Sequence, residues 1–130
     1  MKRIMKRYLG FLLVAIMLGT VFTTYAATPR WAHLAAISGS IDITDGVADI
    51  VVMCDASTAD VTKVKAKCEL QKYDSSWETI KTWTETATGT IVNFEKTYAV
   101  ASDYDYRLKI TGYAYNGSTL LESATEYFYE

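Results

Sequence analysis

Hydrophobic and polar residues alternate with a period of two along most of the chain after residue 33. The clearest run is residues 62–73 (TKVKAKCELQKY), in which apolar and charged or polar residues alternate for most of its length. Such alternation is typical of a β-strand with one face buried and the other in water. No segment beyond residue 26 keeps apolar residues at helical spacing over three turns, so the pattern predicts strands and no helices there.

The same pattern divides the chain into seven predicted strands, at residues 33–44, 48–54, 62–73, 77–85, 91–100, 104–115 and 119–129. Asp45-Gly46 and Asn116-Gly117 between them are strong hairpin signals. Gly39 predicts a break or bulge within the first strand. Seven short strands with turn signals every 8 to 12 residues are typical of a β-sandwich or barrel.

The stretch from Val100 to Tyr115 (VASDYDYRLKITGYAY) predicts a turn followed by a long strand. Its layout, an apolar Val100, a short polar turn and Tyr106 opening the strand, resembles the tyrosine corner of Greek-key sandwiches. In that corner the ring is buried and its hydroxyl bonds to the backbone just upstream. The predicted fold class is therefore all-β, a seven-stranded immunoglobulin/fibronectin III-like Greek-key sandwich. The first, second and fifth strands are expected in one sheet, and the fourth, third, sixth and seventh in the other.

The apolar phase of these strands predicts the core of the sandwich. Its predicted members are Ile50, Val52, Cys54, Val64, Ala66, Cys68, Leu70, Ile80, Phe94, Tyr98, Val100, Tyr106, Leu108 and Ile110.

The first 26 residues predict a signal peptide with its signal helix, leaving residues 27–130 as a single secreted domain. Four basic residues precede the apolar run Leu9–Phe22, and Thr24-Tyr25-Ala26 fits a cleavage site. The run has 14 residues, fewer than the roughly 20 that cross a bilayer. Cleavage after Ala26 is favoured over an uncleaved membrane anchor, so contact with a membrane is expected only before cleavage.

Charge limits the partners that the exported domain is expected to have. Residues 1–26 contain four of the 13 Lys and Arg residues and none of the 15 Asp and Glu residues, which leaves 9 basic and 15 acidic, formally −6. An acidic domain is repelled by phosphate backbones, so nucleic acid is not an expected partner.

Cys54 and Cys68 are the only two cysteines, and both fall on the apolar phase of their strands. Export allows a disulfide between them. Their offset along neighbouring strands can exceed the roughly 7 Å Cα separation that a bridge tolerates. The sequence is therefore compatible with either a Cys54–Cys68 disulfide or two buried free thiols.

Catalytic chemistry is poorly represented. His33 is the single histidine, and it has no nucleophile motif near it in sequence. No HExxH, P-loop or GxSxG motif occurs. Acidic residues in three turns are explained by the preference of Asp for turns, and no calcium-ligand loop is present. We therefore predict no enzyme activity, no catalytic or metal-binding residues and no cofactor.

Aromatic residues on the outward phase predict a binding face. If Ile80 faces the core, both tryptophans of the fourth strand lie outside, beside tyrosines of three other strands. Trp and Tyr supply large contact areas for a protein or a glycan. Two alternatives are that a bulge turns one Trp into the core, or that Lys and Thr stems cover the rings. The predicted face consists of Tyr73, Trp77, Trp83, Tyr113, Tyr115 and Tyr127.

Three stretches carry a resemblance to a known group: VKAKCELQKYDSSWETIKTW (64–83), EKTYAV (95–100) and SDYDYRLKITGYAY (102–115). They resemble small secreted β-sandwich proteins of Gram-positive clostridia, a domain of unknown function, over most of residues 37–129. The resemblance implies secretion and a single sandwich domain, and it implies no catalytic residue. Asp103 departs from the Gly expected in that turn, and Cys68 is not expected to be Cys.

These observations lead to three functional hypotheses. The first is a secreted, non-enzymatic binding or adhesion module for an unknown protein or glycan at the cell exterior. The second is a self-associating structural extracellular protein, and the third is a secreted bacteriocin-like factor.

Overall fold

The structure, a computed structural model, describes residues 31–57 and 59–130 of the 130-residue chain. Trp31–Glu130 form one compact unit. The predicted signal peptide, its helix and the cleavage point after Ala26 lie outside the described residues. No helix in the described part is long and apolar enough to cross a membrane.

Seven strands and no helix make up the described residues, so the all-β prediction is confirmed. The strands are β1 (Leu34–Thr44), β2 (Val47–Ala56), β3 (Lys63–Asp74), β4 (Ser76–Thr88), β5 (Ile91–Ala99), β6 (Asp105–Asn116) and β7 (Thr119–Tyr129). They form two antiparallel sheets, in the orders β1-β2-β5 and β4-β3-β6-β7. This is the grouping of strands that the sequence predicts.

The turns use residues that accept a left-handed backbone. Asp45 and Gly46 have φ of 52° and 74° and join β1 to β2 in a two-residue hairpin. Asp103, in the turn before β6, has φ of 70°. A Gly is expected there for this reason, and Asp tolerates the conformation better than most side chains.

Alternating residues of both sheets fill one shared core. The predicted core residues are buried, except that Ile80, Tyr98 and Val100 are only partly buried at its margin. The sequence prediction omitted further buried residues, of which the largest are Leu34, Ile37, Ile41, Val61 and Val92.

Gly39 does not break β1, contrary to the prediction. Its pairing with Val52 is regular, and the irregularity of β1 lies between Leu34 and Ala36 instead. A Cβ at position 39 would clash with Ile110 Cδ1 and lie 2.9 Å from Phe128 Cδ2. Glycine at position 39 therefore leaves room for the side chains of Ile110 and Phe128 from the other sheet.

Tyr106 joins the start of β6 to the turn before it. Its side chain is buried, with 3% of its surface exposed, and its hydroxyl donates a 2.5 Å hydrogen bond to the carbonyl of Ala101. The ring is thus held in the core while its hydroxyl fixes the preceding turn, which is the geometry of a tyrosine corner.

Cys54 and Cys68 are free, buried thiols on opposite sheets, so the structure contains no bridge between them. Burial, and secondarily the adjacent carboxylate of Asp55, raises the pKa of Cys54 to about 11. Burial and the adjacent Glu69 raise the pKa of Cys68 to about 12. Both groups are therefore protonated and unreactive at neutral pH.

The beginning of the described chain is attached to β7 through one carboxylate. Glu122 accepts hydrogen bonds from the backbone N–H groups of Ala32, His33 and Leu34, at 3.0, 2.9 and 2.8 Å. Burial opposes ionisation of Glu122, but the three donors outweigh it and the pKa of this carboxyl lies below its ordinary value.

Candidate functional site

The outer surface of the β4-β3-β6-β7 sheet, here called the four-strand face, carries most of the predicted binding residues. Residues directly opposite each other in antiparallel strands point to the same side of a sheet. Tyr73 pairs with Trp77 on β4, and Arg107 pairs with Gln71 on β3 and with Tyr129 on β7. The register therefore collects aromatic and polar side chains of four strands at one end of this face.

Arg107 occupies the centre of this group. Its Cζ lies 4.2 Å from the ring centroid of Trp77, 4.5 Å from that of Tyr127 and 5.9 Å from that of Tyr129. Its Nε donates a 2.7 Å hydrogen bond to Gln71 Oε1, and its Nη1 donates a 3.3 Å bond to the Tyr129 hydroxyl. Each cation–π contact of this kind contributes about 0.5–2 kcal/mol, depending on exposure. Arg107 thus holds the surrounding rings in defined positions, and we call the set, with Tyr73, the Arg107 cluster.

The rings of the Arg107 cluster do not form a flat platform. Tyr73 and Trp77 have centroids 5.2 Å apart and planes at 61°, and Trp77 and Tyr129 are 6.0 Å apart at 69°. Trp77 is half-buried, whereas Tyr73, Tyr127 and Tyr129 are 44%, 43% and 63% exposed. The exposed tyrosines of the cluster therefore form an uneven surface around the half-buried Trp77 and Arg107.

A second group of aromatic and cationic residues lies at the opposite end of the four-strand face. Lys63 Nζ is 4.6 Å from the ring centroid of Tyr115, and Lys65 Nζ is 4.4 Å from that of Tyr113. The lysine ammonium groups thus lie over the tyrosine rings. At this end of the face, the structure matches in part the alternative in which lysine side chains cover the rings.

Trp83 is not part of the four-strand face, which corrects its predicted place. β3 and β4 slip by one residue, because Leu70 pairs with Lys81 whereas Gln71 pairs with Thr79. Ile80 is the extra residue of this bulge, and it reverses the side on which later residues of β4 point. Trp83 consequently lies opposite buried Cys68 and packs edge-on against Tyr98 of the other sheet, with centroids 5.9 Å apart.

Three members of the site, Arg107, Tyr129 and Gln71, are not among the residues predicted from the sequence. Arg107 lies between the apolar Tyr106 and Leu108, on the polar phase of its strand, which by itself indicates only that it faces outward. Its importance comes from cross-strand neighbours 22 and 36 residues away, Tyr129 and Gln71. The signal available in the sequence was that Tyr127 and Tyr129 share the phase that faces Arg107 once β6 and β7 are joined at Asn116-Gly117.

Threonine hydroxyls line the β4 side of the four-strand face. After the bulge, Thr82, Thr84, Thr86 and Thr88 pair in turn with the outward residues Glu69, Lys67, Lys65 and Lys63. Each hydroxyl can donate and accept a hydrogen bond. This side of the face is therefore polar and uncharged.

His33 lies near a carboxylate and a serine hydroxyl. Its Nδ1 lies 3.5 Å from Asp60 Oδ2, and the nearby Ser57 hydroxyl donates to the backbone carbonyl of His33 rather than to its ring. In the described part of the chain, no group of three or more His, Cys, Asp or Glu residues has a geometry that could hold a metal ion.

A scan against protein-family models finds no match to the chain, and a search of curated proteins also finds none. The resemblance to clostridial secreted sandwiches stays a prediction.

Proposed function

We propose that this protein is a secreted, non-enzymatic binding module that engages its ligand with the four-strand face. The observation that carries the proposal is the Arg107 cluster, in which the half-buried Arg107 contacts the ring of Trp77 and lies beside exposed tyrosines. Trp, Tyr and Arg are the residue types that dominate binding energy at protein surfaces. Because their positions are fixed before binding, little conformational entropy is lost when a ligand is bound.

The proposal includes an immunoglobulin- or fibronectin III-like sandwich exported by residues 1–26. The strand grouping and the hydrogen bond from Tyr106 to Ala101 support that fold. The basic and apolar pattern of the first 26 residues supports export.

Binding through a face is favoured over binding through the edges of β4 and β5, because both of these edge strands carry charges on their inward phase. Lys81 and Glu85 do so on β4, and Lys96 does so on β5. Lys96 Nζ and Glu85 Oε1 lie 3.6 Å apart, so the two edges are joined by an ion pair. Inward-pointing charges are a common means of preventing another strand from adding to an edge.

A glycan array and a screen of surface proteins with the wild-type chain and Tyr127→Ala test the proposal. Tyr104→Ala is the matched control, because Tyr104 is 39% exposed, close to the 43% of Tyr127, and has no contact with the Arg107 cluster. We expect a ligand whose affinity falls at least tenfold with Tyr127→Ala and less than twofold with Tyr104→Ala. Equal affinity of both variants for every ligand found would refute the proposed site.

The alternative function is self-association, and one observation favours it. The outer surface of the β1-β2-β5 sheet carries acidic side chains and the exposed apolar residues Val47, Val51 and Ile91. This surface complements the basic four-strand face of a second copy, and head-to-tail contacts of that type can form open chains of molecules. Size-exclusion chromatography over a range of protein and salt concentrations tests it, and a monomer at millimolar protein in low salt would refute it.

A further inference from the structure

The four-strand face has a charge opposite to that of the whole domain. The outward residues of its two central strands, β3 and β6, include five of the eight Lys and Arg residues found after residue 30, but only two of the fifteen Asp and Glu residues, Glu69 and Asp105. The net charge of these outward residues is therefore +3, whereas the residues after residue 30 taken together contain 8 basic and 15 acidic side chains. The five cations are Lys63, Lys65, Lys67, Lys109 and Arg107.

These cations form a continuous stripe along the strands. Lys63, Lys65 and Lys67 are alternate residues of β3, about 7 Å apart. The stripe continues on β6 through Lys109 and Arg107, which lie opposite Glu69 and Gln71. From Lys63 to Gln71 it spans about 26 Å, at roughly 3.3 Å per residue. Its length fits an extended chain of repeating anionic groups better than a single small anion.

Most of the stripe is not neutralised within the domain. Lys109 Nζ lies 4.0 Å from Glu69 Oε2, but no carboxylate of another described residue lies within 4.0 Å of Lys63, Lys65 or Lys67. The Nη2 atom of Arg107 makes no hydrogen bond to any residue in the described ranges and is not buried. The stripe therefore offers charged donors that are available to an anionic ligand from outside the domain.

The groups beside the stripe indicate the remaining chemistry of the ligand. Tyrosine rings lie at both ends of it, and the threonine hydroxyls of β4 run along one side. Aromatic rings contact the apolar faces of sugar rings, and threonine hydroxyls match sugar hydroxyls as donors and acceptors.

We propose that the four-strand face binds an acidic polysaccharide, with carboxylate or phosphate groups on the cationic stripe and sugar rings on the tyrosines. This inference rests on the proposed binding function and specifies its ligand class. The acidic outer surface of the other sheet repels the same polymer, so the domain binds it with one orientation.

The test measures binding of polygalacturonate, an acidic polysaccharide, and of neutral dextran by isothermal titration calorimetry. The protein is the full chain, expressed and processed in its own host. The test variant is Lys63→Gln/Lys65→Gln/Lys67→Gln. The control variant is Lys72→Gln/Lys81→Gln/Lys96→Gln, which removes the same charge from lysines outside the stripe. We expect the wild-type protein to bind polygalacturonate and not dextran. Its affinity for polygalacturonate should be at least tenfold higher than that of the test variant and less than threefold higher than that of the control variant.

Salt gives a second measurement. Release of counterions makes the logarithm of affinity fall with the logarithm of salt concentration, with a slope of about −0.7 to −0.9 per neutralised charge for nucleic acids. The test variant removes three charges and should flatten this slope for polygalacturonate by about two to three, whereas the control variant should leave it unchanged. Equal weakening by both variants would show that net charge alone matters and would overturn the inference.

The remaining outcomes separate this inference from the proposed function. Salt-independent binding of dextran that is lost with Tyr127→Ala would overturn the acidic ligand while supporting the binding face. Binding of polyglutamate as tightly as polygalacturonate would overturn the inference that the ligand is a polysaccharide and would indicate an acidic peptide. Self-association that polygalacturonate does not reverse would show that the stripe binds a second copy of the protein, and it would overturn the inference. Absence of binding to polygalacturonate at low salt would overturn the inference itself.

Discussion

Replacing Tyr106 with Phe tests the hydrogen bond that ties β6 to the turn before it. The change removes one oxygen atom from a ring that is 3% exposed and leaves the packing of the ring in place. The lost bond is the one from the hydroxyl to the Ala101 carbonyl. Because Ala101 is exposed, water replaces the hydroxyl as donor to that carbonyl, and no buried acceptor is left unpaired. The expected loss of stability is therefore the net value of one hydrogen bond, about 1 kcal/mol.

Urea and thermal unfolding, followed by tryptophan fluorescence, measure this loss. For a domain of about 100 residues, 1 kcal/mol lowers Tm by about 4–8 °C. Tyr104→Phe is the control, because it removes the same atom from an exposed ring two residues earlier, and it should change the free energy of unfolding by less than about 0.5 kcal/mol. An unchanged Tm for Tyr106→Phe, or an equal fall for Tyr104→Phe, would refute the assigned role of the hydroxyl.

Three further predictions concern the glycine, the carboxylate and the thiols of the fold. Gly39→Ala should lower the free energy of unfolding by about 1–3 kcal/mol in urea denaturation, because its Cβ overpacks the contact between the sheets, and an effect no larger than that of exposed Ser40→Ala would contradict this. Glu122→Gln should cost about 1–3 kcal/mol at pH 7. Since the folded pKa of Glu122 is lowered, its contribution to stability is complete above about pH 4.3 and is lost as pH falls through the folded pKa. The free energies of unfolding of the wild type and Glu122→Gln should therefore converge in acid, and a difference that stays constant with pH would contradict this. Ellman's reagent should react with neither cysteine in native protein and with both Cys54 and Cys68 in guanidinium without reductant, whereas no reaction there would show that they are bridged.

The sequence predicted the strands well because their signals are local. Alternation fixes which residues of a strand share a face, and pairs such as Asp45-Gly46 fix where a strand ends. The first and last residues of each strand differ from the prediction by three residues at most, as at the end of β4. The long strand after Val100 also carried enough information to place Tyr106 in the core.

The features that the sequence did not reveal depend on residues far apart in the chain. Trp77 and Trp83 are six residues apart, so an uninterrupted strand would place both on one side, and only the pairing of β4 with β3 shows the extra residue at Ile80. The reason for Gly39 lies on β6 and β7, which approach it across the core. Arg107 looked like an ordinary exposed cation until the register placed it among rings from β4 and β7.

The attachment of residues 32–34 to Glu122 has a consequence for the order of folding. The carboxylate lies 88 to 90 residues after the amides that it binds. As the ribosome releases the polypeptide from its amino end, the earliest part of the domain must wait for nearly the last part to be synthesised. The three hydrogen bonds to Glu122 therefore form late, whereas β1 can already pair with β2 once residue 56 has been synthesised.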